Sequence, residues 1–249
     1  MKIAILTDIH GNYPALSAVF SDIDSHGDIE HTYCLGDMIG IGPDSNEVLE
    51  EIMHRKNVTA VSGNHEEAVL KLLQGKHTLP GHEMIAEHHK WVGKSLKKEN
   101  IEFIQDLPQT LDIEVEGQKI LITHYHMNQE QREVIDERPS GLALDAKYKD
   151  SPYNLVCFGH HHPIHYFKTA QRIYLNPGAL GCNDHAIARY AVVELQKATI
   201  NIQLIGATYD NKSFLESFEQ LKVPDRDFMI KAFHGNQLER DFKDGNNIS

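Results

Sequence analysis

Lys2-Ile3-Ala4-Ile5-Leu6-Thr7-Asp8-Ile9-His10-Gly11-Asn12 opens the chain with an apolar run that ends in a carboxylate and an imidazole. Residues 2–6 read as a buried strand. Gly11-Asn12 reads as a turn, with Asn12 as the N-cap and Pro14 in the first turn of a helix. Leu16, Val19, Phe20 and Ile23 then follow helical spacing. A strand feeding a helix in this way delivers Asp8 and His10 to the C-terminal edge of a sheet, where open α/β folds bind ligands. Two residues apart, both can reach one metal ion. The pair alone decides nothing, because roughly one Asp-x-His is expected by chance in a chain this rich in both residues. Asp24-Ser25-His26 is a second instance. It falls at the end of the first helix, before Gly27, where His26 suits the helix C-terminus without binding anything.

The opening pattern recurs. Residues 32–35 run into Gly36-Asp37, and residues 58–61 run into Ser62-Gly63-Asn64-His65-Glu66. Each tip is followed by helical spacing, first Val48, Leu49, Ile52 and Met53, then Ala68, Val69, Leu72 and Leu73. Three strand–tip–helix units argue for βαβ connections and a mostly parallel sheet. Residues 75–108 break the rhythm as a helical insertion. Its helix is expected from about 82 to 95, burying Met84, Ile85, Trp91 and Val92, with a second helical piece ending at Leu107-Pro108. His77, His82, His88 and His89 fall here and read mostly as surface or packing residues.

From Thr110 the pattern is β-rich. Residues 111–115 and 119–123 form a hairpin ending at His124. A polar segment, 125–150, holds Arg132, Arg138, Lys147 and one short helix. Residues 155–158 form a short buried strand ending at Gly159-His160-His161-His162. Strands over 164–168, 172–175, 189–195 and 199–204 and a helix over 213–221 come next, and 244–249 should fray. The whole of 1–249 reads as a single domain.

Composition narrows the classes. Hydrophobic content of 41% with 24% charged residues is that of an ordinary soluble globular chain. No apolar run is long enough to cross a bilayer, and no signal-peptide layout is present, so a cytoplasmic protein is expected. The three cysteines are too few and scattered for a disulfide framework, and Cys34 and Cys157 read as buried thiols. A net charge of −12 disfavours duplex nucleic acid and anionic membranes as partners. A small anionic substrate stays open, since bound cations invert the local field.

Collected, the strand tips carry Asp8, His10, Asp37, Asn64, His65, His124, His160 and His162, delivered by five strands. Imidazole, carboxylate and amide oxygen without thiolate favour manganese, iron, zinc or a similar divalent ion, and argue against a structural zinc. Two such ions about 3.5–4 Å apart can clamp a phosphoryl group and activate a water, so no Ser or Cys nucleophile is needed.

Asp8-x-His10, Gly36-Asp37, Gly63-Asn64-His65-Glu66, His124 and Gly159-His160-x-His162 resemble, in order, the five motifs of calcineurin-like metallophosphoesterases. Gly42-Pro43-Asp44 and Asn176-Pro177-Gly178 resemble the small bacterial branch with phosphodiesterases and diadenosine-tetraphosphatase-like proteins. The resemblance implies a four-layer α/β/β/α sandwich of two packed mixed sheets. It also implies two divalent metal ions, manganese first, with iron, zinc, nickel or magnesium as alternatives. Asp8, His10 and His162 would hold one ion, and Asn64, His124 and His160 the other. Asp37 would bridge them, while His65 would contact the phosphate and stabilise or protonate the leaving oxygen. The reaction implied is hydrolysis of a small phosphate mono- or diester, such as a nucleotide or dinucleoside polyphosphate, by in-line attack of a metal-bridging hydroxide. The alternative is a non-catalytic metal-binding scaffold of the same fold that binds a protein partner. His161 is expected to point away from the site on strand alternation. His126 and His165 are near the site in sequence without an assigned role. Asn12 reads as a cap, and Asn176 as a turn residue placed where it can face the site.

Overall fold

Period-two alternation sorts β1 (Lys2–Leu6) between two interiors. Ile3 and Ile5 turn to one, Ala4 and Leu6 to the other, and all four are fully buried. A strand buried on both faces belongs in the middle of a layered fold. The computed structural model, which describes residues 1–128, 131–133 and 138–237, shows those layers. From β1 the chain runs through α1 (Tyr13–His26), β2 (His31–Cys34), α2 (Ser45–His54), β3 (Val58–Ala60) and α3 (Asn64–Leu73). The insertion contributes α4 (Ala86–Ser95) and α5 (Lys98–Asp106). Then come β4 (Thr110–Val115), β5 (Gln118–Thr123), the short pair β6 (Met127–Asn128) and β7 (Gln131–Arg132), and α6 (Gly141–Lys147). The rest is β8 (Leu155–Cys157), β9 (His165–Lys168), β10 (Ile173–Asn176), β11 (Ile187–Gln196), β12 (Thr199–Thr208), α7 (Lys212–Gln220) and α8 (Arg226–Phe233).

Two five-stranded mixed sheets result, ordered β12-β11-β1-β2-β3 and β4-β5-β8-β10-β9. β1, β2 and β3 are parallel, as are β5, β8 and β10, while the outer strands β11, β12, β4 and β9 pair antiparallel. Between the sheets lie Ile3, Ile5, Leu35, Ala191 and Val193 from one and Ile120, Ile122, Leu155, Cys157 and Leu175 from the other. The outer face of the first sheet packs on helices through Leu16, Val19, Phe20, Val48, Leu49 and Val69. The outer face of the second is covered by Leu144 and Tyr148 over Val156, Phe158 and Tyr174. Each fully buried aliphatic side chain here contributes about 1.5–3 kcal/mol by leaving water. Among the described residues no helix is long and apolar enough to cross a membrane.

The expected four layers and mixed sheets are present, with strand ends shifted by a residue or two and β12 four residues longer. Two expectations fail. The turn at Glu83–Ile85 is a 3-10 helix that precedes α4, so Met84 is 80% exposed rather than buried. Three residues per turn instead of 3.6 rotate that stretch out of phase with the α-helical stripe. α8 has no counterpart among the expected elements: its apolar stripe is short, with Met229 buried and Ile230 and Phe233 packed partly against the same cluster. Residues 244–249, expected to fray, lie outside the described residues.

Candidate metal centre

All five tips leave the C-terminal ends of their strands, and the two sheets bring those ends to one edge. Backbone bonds tie the tips together: Asp8 N–H donates to Gly36 O (3.2 Å), His10 N–H to Asp37 O (2.9 Å) and Gly159 N–H to His124 O (3.2 Å). Approach is so close that a Cβ at Gly63 would come 2.2 Å from Asp37 Oδ1, so this tip admits only glycine. Asp8, His10, Asp37 and His160 all have φ between 51° and 69°. That left-handed conformation costs a non-glycine residue on the order of 1 kcal/mol or more and is typical of functional sites.

Glu66 pins the second tip. Its buried carboxylate accepts N–H groups from Asp37 (3.0 Å), Met38 (2.8 Å), Ile39 (3.1 Å) and Gly63 (2.7 Å). Asp37 in turn accepts the His65 N–H on Oδ1 at 2.9 Å, leaving Oδ2 to the site.

Seven of the eight tip residues converge as two adjoining clusters, and His65 stands beside them with its ring centroid 4.7 Å from that of His10. In the first, His10 Nε2 and His162 Nε2 are 3.1 Å apart, and Asp8 Oδ1 lies 3.6 and 3.9 Å from them. In the second, Asn64 Oδ1 is 3.0 Å from both His124 Nε2 and His160 Nδ1. Asp37 Oδ2 stands between the clusters, 3.1 Å from His124 Nε2 and 4.0 Å from His10 Nε2. Such separations are those of atoms each about 2.0–2.2 Å from a shared ion. Asp8 Oδ1 is buried with no hydrogen-bond partner, an arrangement that a cation would satisfy and that is otherwise costly. The donor set therefore fits divalent metal.

The imidazoles are oriented from behind. His124 Nδ1 donates to Leu35 O at 2.7 Å, and His10 Nδ1 faces Ile39 O at 3.4 Å, so Nε2 of each is turned to the cluster. His160 Nε2 meets the Tyr125 hydroxyl at 3.0 Å, which turns its Nδ1 inward. Held rings of this kind are the usual second layer of metal sites. Asn64 Nδ2 donates to His82 Nε2 at 3.2 Å, which aims its oxygen at the cluster.

Electrostatics follow from crowding charges in a dry place. Burial alone would raise Asp8, but His10, His124 and His162 outweigh it and bring the carboxyl down to about 2. Burial likewise opposes ionisation of Asp37, and His124, His65 and His10 still hold it well below the usual carboxylate range. Burial would lower His124, yet the charges of Asp37, Asp8 and Glu66 push it up to about 9, and His10 is raised for the same reasons. His160 and His162 are instead held at about 4 by burial and neighbouring imidazoles.

The chain matches the model of the calcineurin-like phosphoesterase superfamily domain over residues 1–198. The chain belongs to that superfamily. An uncharacterised protein of Methanocaldococcus jannaschii is 28% identical over 242 residues, spanning 90% of this chain and 94% of that one. Two solved structures share the fold. A hypothetical protein from Pyrococcus horikoshii matches with a TM-score of 0.80 and 23% identity, covering 94% of this chain and 98% of its own. A metallophosphoesterase from Sphaerobacter thermophilus matches at 0.69 and 22%, covering 90% and 96%.

Around this calcineurin-like centre the structure places residues that sequence reading passed over. His82 and His89 of the insertion pack on His65, with His89 Nε2 at 3.0 Å from His65 Nδ1. His88 and His89 are fully buried, as packing residues can be, whereas His77 is exposed. Cys182 brings its sulfur within 4.8 Å of ligand atoms of His10 and His162, and burial with the nearby Asp8 and Asp37 keeps its thiol pushed well up. The only sequence signal for the two insertion residues was the density of histidine, and Cys182 had none. His161, expected to point away, lines the cleft with His165, 3.2 Å from it, because the left-handed His160 breaks strand alternation. His126 bonds Tyr148 (2.8 Å) in the outer core. Asn12 caps α1 through Ala15 N–H (3.1 Å). Asn176 bonds His161 O (2.7 Å) and Gly159 O (3.3 Å), and so shapes the loop rather than facing the site. Lys147 pairs with Glu133, Arg138 is exposed, and the Arg132 side chain lies outside the described residues. Asp24 pairs with Arg55 at 2.9 Å on the surface.

Proposed function

We propose that the chain is a di-metal phosphoesterase that hydrolyses a small phosphate mono- or diester, with a nucleotide or dinucleoside polyphosphate in that range. The observation that carries this reading is Asp37 Oδ2 set between two donor clusters, beside the unpartnered Asp8 Oδ1. Asp8, His10 and His162 would hold one ion, Asn64, His124 and His160 the other, and Asp37 would bridge. Manganese is the first choice for both, with iron, zinc, nickel or magnesium as alternatives. Bound there, such ions supply charge neutralisation and an acidified water.

The chain's own residues do the rest. A cleft of about 410 Å³ opens over Asp37, Asn64, His65 and His162, and its far walls are Ile41, Ile85 and Phe233. The polar floor suits a phosphoryl group and the apolar walls suit the organic part of an ester. His65 lies in the first turn of α3, so an anion beside it also meets the positive end of a helix. Its buried ring touches both His10 and the cleft, which places it to stabilise charge on a phosphoryl or leaving oxygen.

The test is hydrolysis of aryl phosphate mono- and diesters by pure protein with manganese and, separately, each alternative metal. Metal-dependent turnover that Asp37→Asn abolishes is the expected result. Absence of turnover with every metal would overturn the assignment.

A further inference from the structure

The residue that orients His65 comes from the insertion. Family motifs end at the strand tips and say nothing of residues 75–108, yet His89 of α4 turns its Nε2 to 3.0 Å from His65 Nδ1. Both rings are buried, His89 completely. They cross at 79° with centroids 4.8 Å apart, and His82 packs beside both rings, stacked on His89 at 5.3 Å and 24° and 5.5 Å from His65. Gly40 makes room for this arrangement, since a Cβ there would lie 2.4 Å from His65 Nδ1.

Hydrogen-bond accounting gives the contact a direction. Two imidazole nitrogens 3.0 Å apart need one proton between them, and it sits on either His89 Nε2 or His65 Nδ1. The other nitrogen of His89, Nδ1, is buried and has no partner. Were the shared proton on His65, a neutral His89 would carry its own on Nδ1, an orphaned N–H in a dry core. With the shared proton on His89 Nε2, Nδ1 is only a bare lone pair, the less costly of the two unsatisfied groups. His65 Nδ1 is then an acceptor, and the neutral ring must hold its proton on Nε2.

We propose that His89 is a positioning residue for the phosphoester chemistry: its Nε2–H donates to His65 Nδ1 and fixes His65 as the tautomer that offers an N–H on Nε2. Nδ1 being occupied, Nε2 is the nitrogen left for an oxygen in the cleft that His65 lines. The proton stays on the ring and serves as a hydrogen-bond donor while the phosphorus–oxygen bond of the leaving group breaks. This inference rests on the phosphoesterase reading for its purpose, though not for its geometry.

Two measurements test it. The first is a long-range proton–nitrogen spectrum of zinc-loaded protein with labelled histidine, the His65 signals being identified by their loss in His65→Gln. Protonated Nε2 with Nδ1 as acceptor is expected, and a His65 protonated on Nδ1 overturns the proposal. The second compares kcat and KM for aryl phosphates in His89→Leu and His89→Gln, the latter keeping an N–H near the same place. Loss of roughly 10–100-fold in kcat with KM within about twofold is expected for Leu, and recovery to within about threefold for Gln. Equal losses in both variants would make His89 a packing residue and overturn the proposal. If the wild-type protein turns over nothing, the phosphoesterase reading fails while the spectrum still decides the tautomer.

Discussion

Asp8-Ile9-His10 and Asp24-Ser25-His26 carry the same two functional residues at the same spacing. The first follows β1, is wholly buried, and faces Asp37, His65 and His162 from other strand tips. The second sits in the last turn of α1 and finishes at Gly27, whose φ of 69° terminates the helix. Its carboxylate is 59% exposed and closes a two-pronged contact with Arg55, which also lies 4.1 Å over the Phe20 ring. A motif of two residues thus carries no chemistry by itself. Burial without internal partners does, because a charge taken out of water needs something to answer it.

Substitution gives the widest separation of the two pairs. Asp8→Asn should cost about 10³-fold or more in metal-dependent kcat/KM and lower the bound metal measured by elemental analysis. Asp24→Asn should leave both within about twofold. Equal effects of the two changes would erase the distinction.

Chelation comes next. An ion present at a hundred times its dissociation constant stabilises the native state by about 2.7 kcal/mol, so stripping metal should lower the thermal midpoint by several degrees. Asp8→Asn should blunt that shift, whereas Asp24→Asn should keep it.

Proton release sharpens the comparison further. His10 and His124 are both held above the usual histidine range in the metal-free protein, His124 at about 9. A ligating imidazole must be neutral, so metal uptake should release up to about two protons there. Affinity should rise with pH below about 9, and both that rise and the proton release should fade as pH passes about 9 and His124 becomes neutral. Calorimetry in buffers of different ionisation enthalpy reads the count, and uptake without release would contradict the assigned ligands.

The smallest effect belongs to the surface pair. Asp24→Asn should cost under about 1 kcal/mol in chemical denaturation, because the aspartate is more than half exposed and solvent screens the contact.

Much of the centre was legible because strands and tips differ so sharply in polarity. Ile3 to Leu6 or Leu155 to Cys157 cannot be surface, and the polar residues at the end of each must lie at the sheet edge. The features that stayed hidden depend on rotation and packing that local pattern does not encode. Nothing in residues 82–89 says that α4 folds back with His89 toward His65, since a one-residue change of helical phase would turn it by about 100°. Glu66 was visible as part of a motif, but its role depends on four N–H groups from two tips converging on one carboxylate. Tyr125 and Cys182 lie in irregular segments, where spacing predicts no direction.

Each donor cluster draws on both sheets. Asp8 and His10 come from the first and His162 from the second, and Asn64 from the first meets His124 and His160 from the second. An ion in either position would therefore act as a rivet through the sandwich at its open edge, joining residues as far apart in the chain as 8 and 162. The mechanical consequence is that the two layers should loosen there first when the ions leave. Amides of the tips would exchange faster, and those in the middle of β1 and β8 would scarcely change.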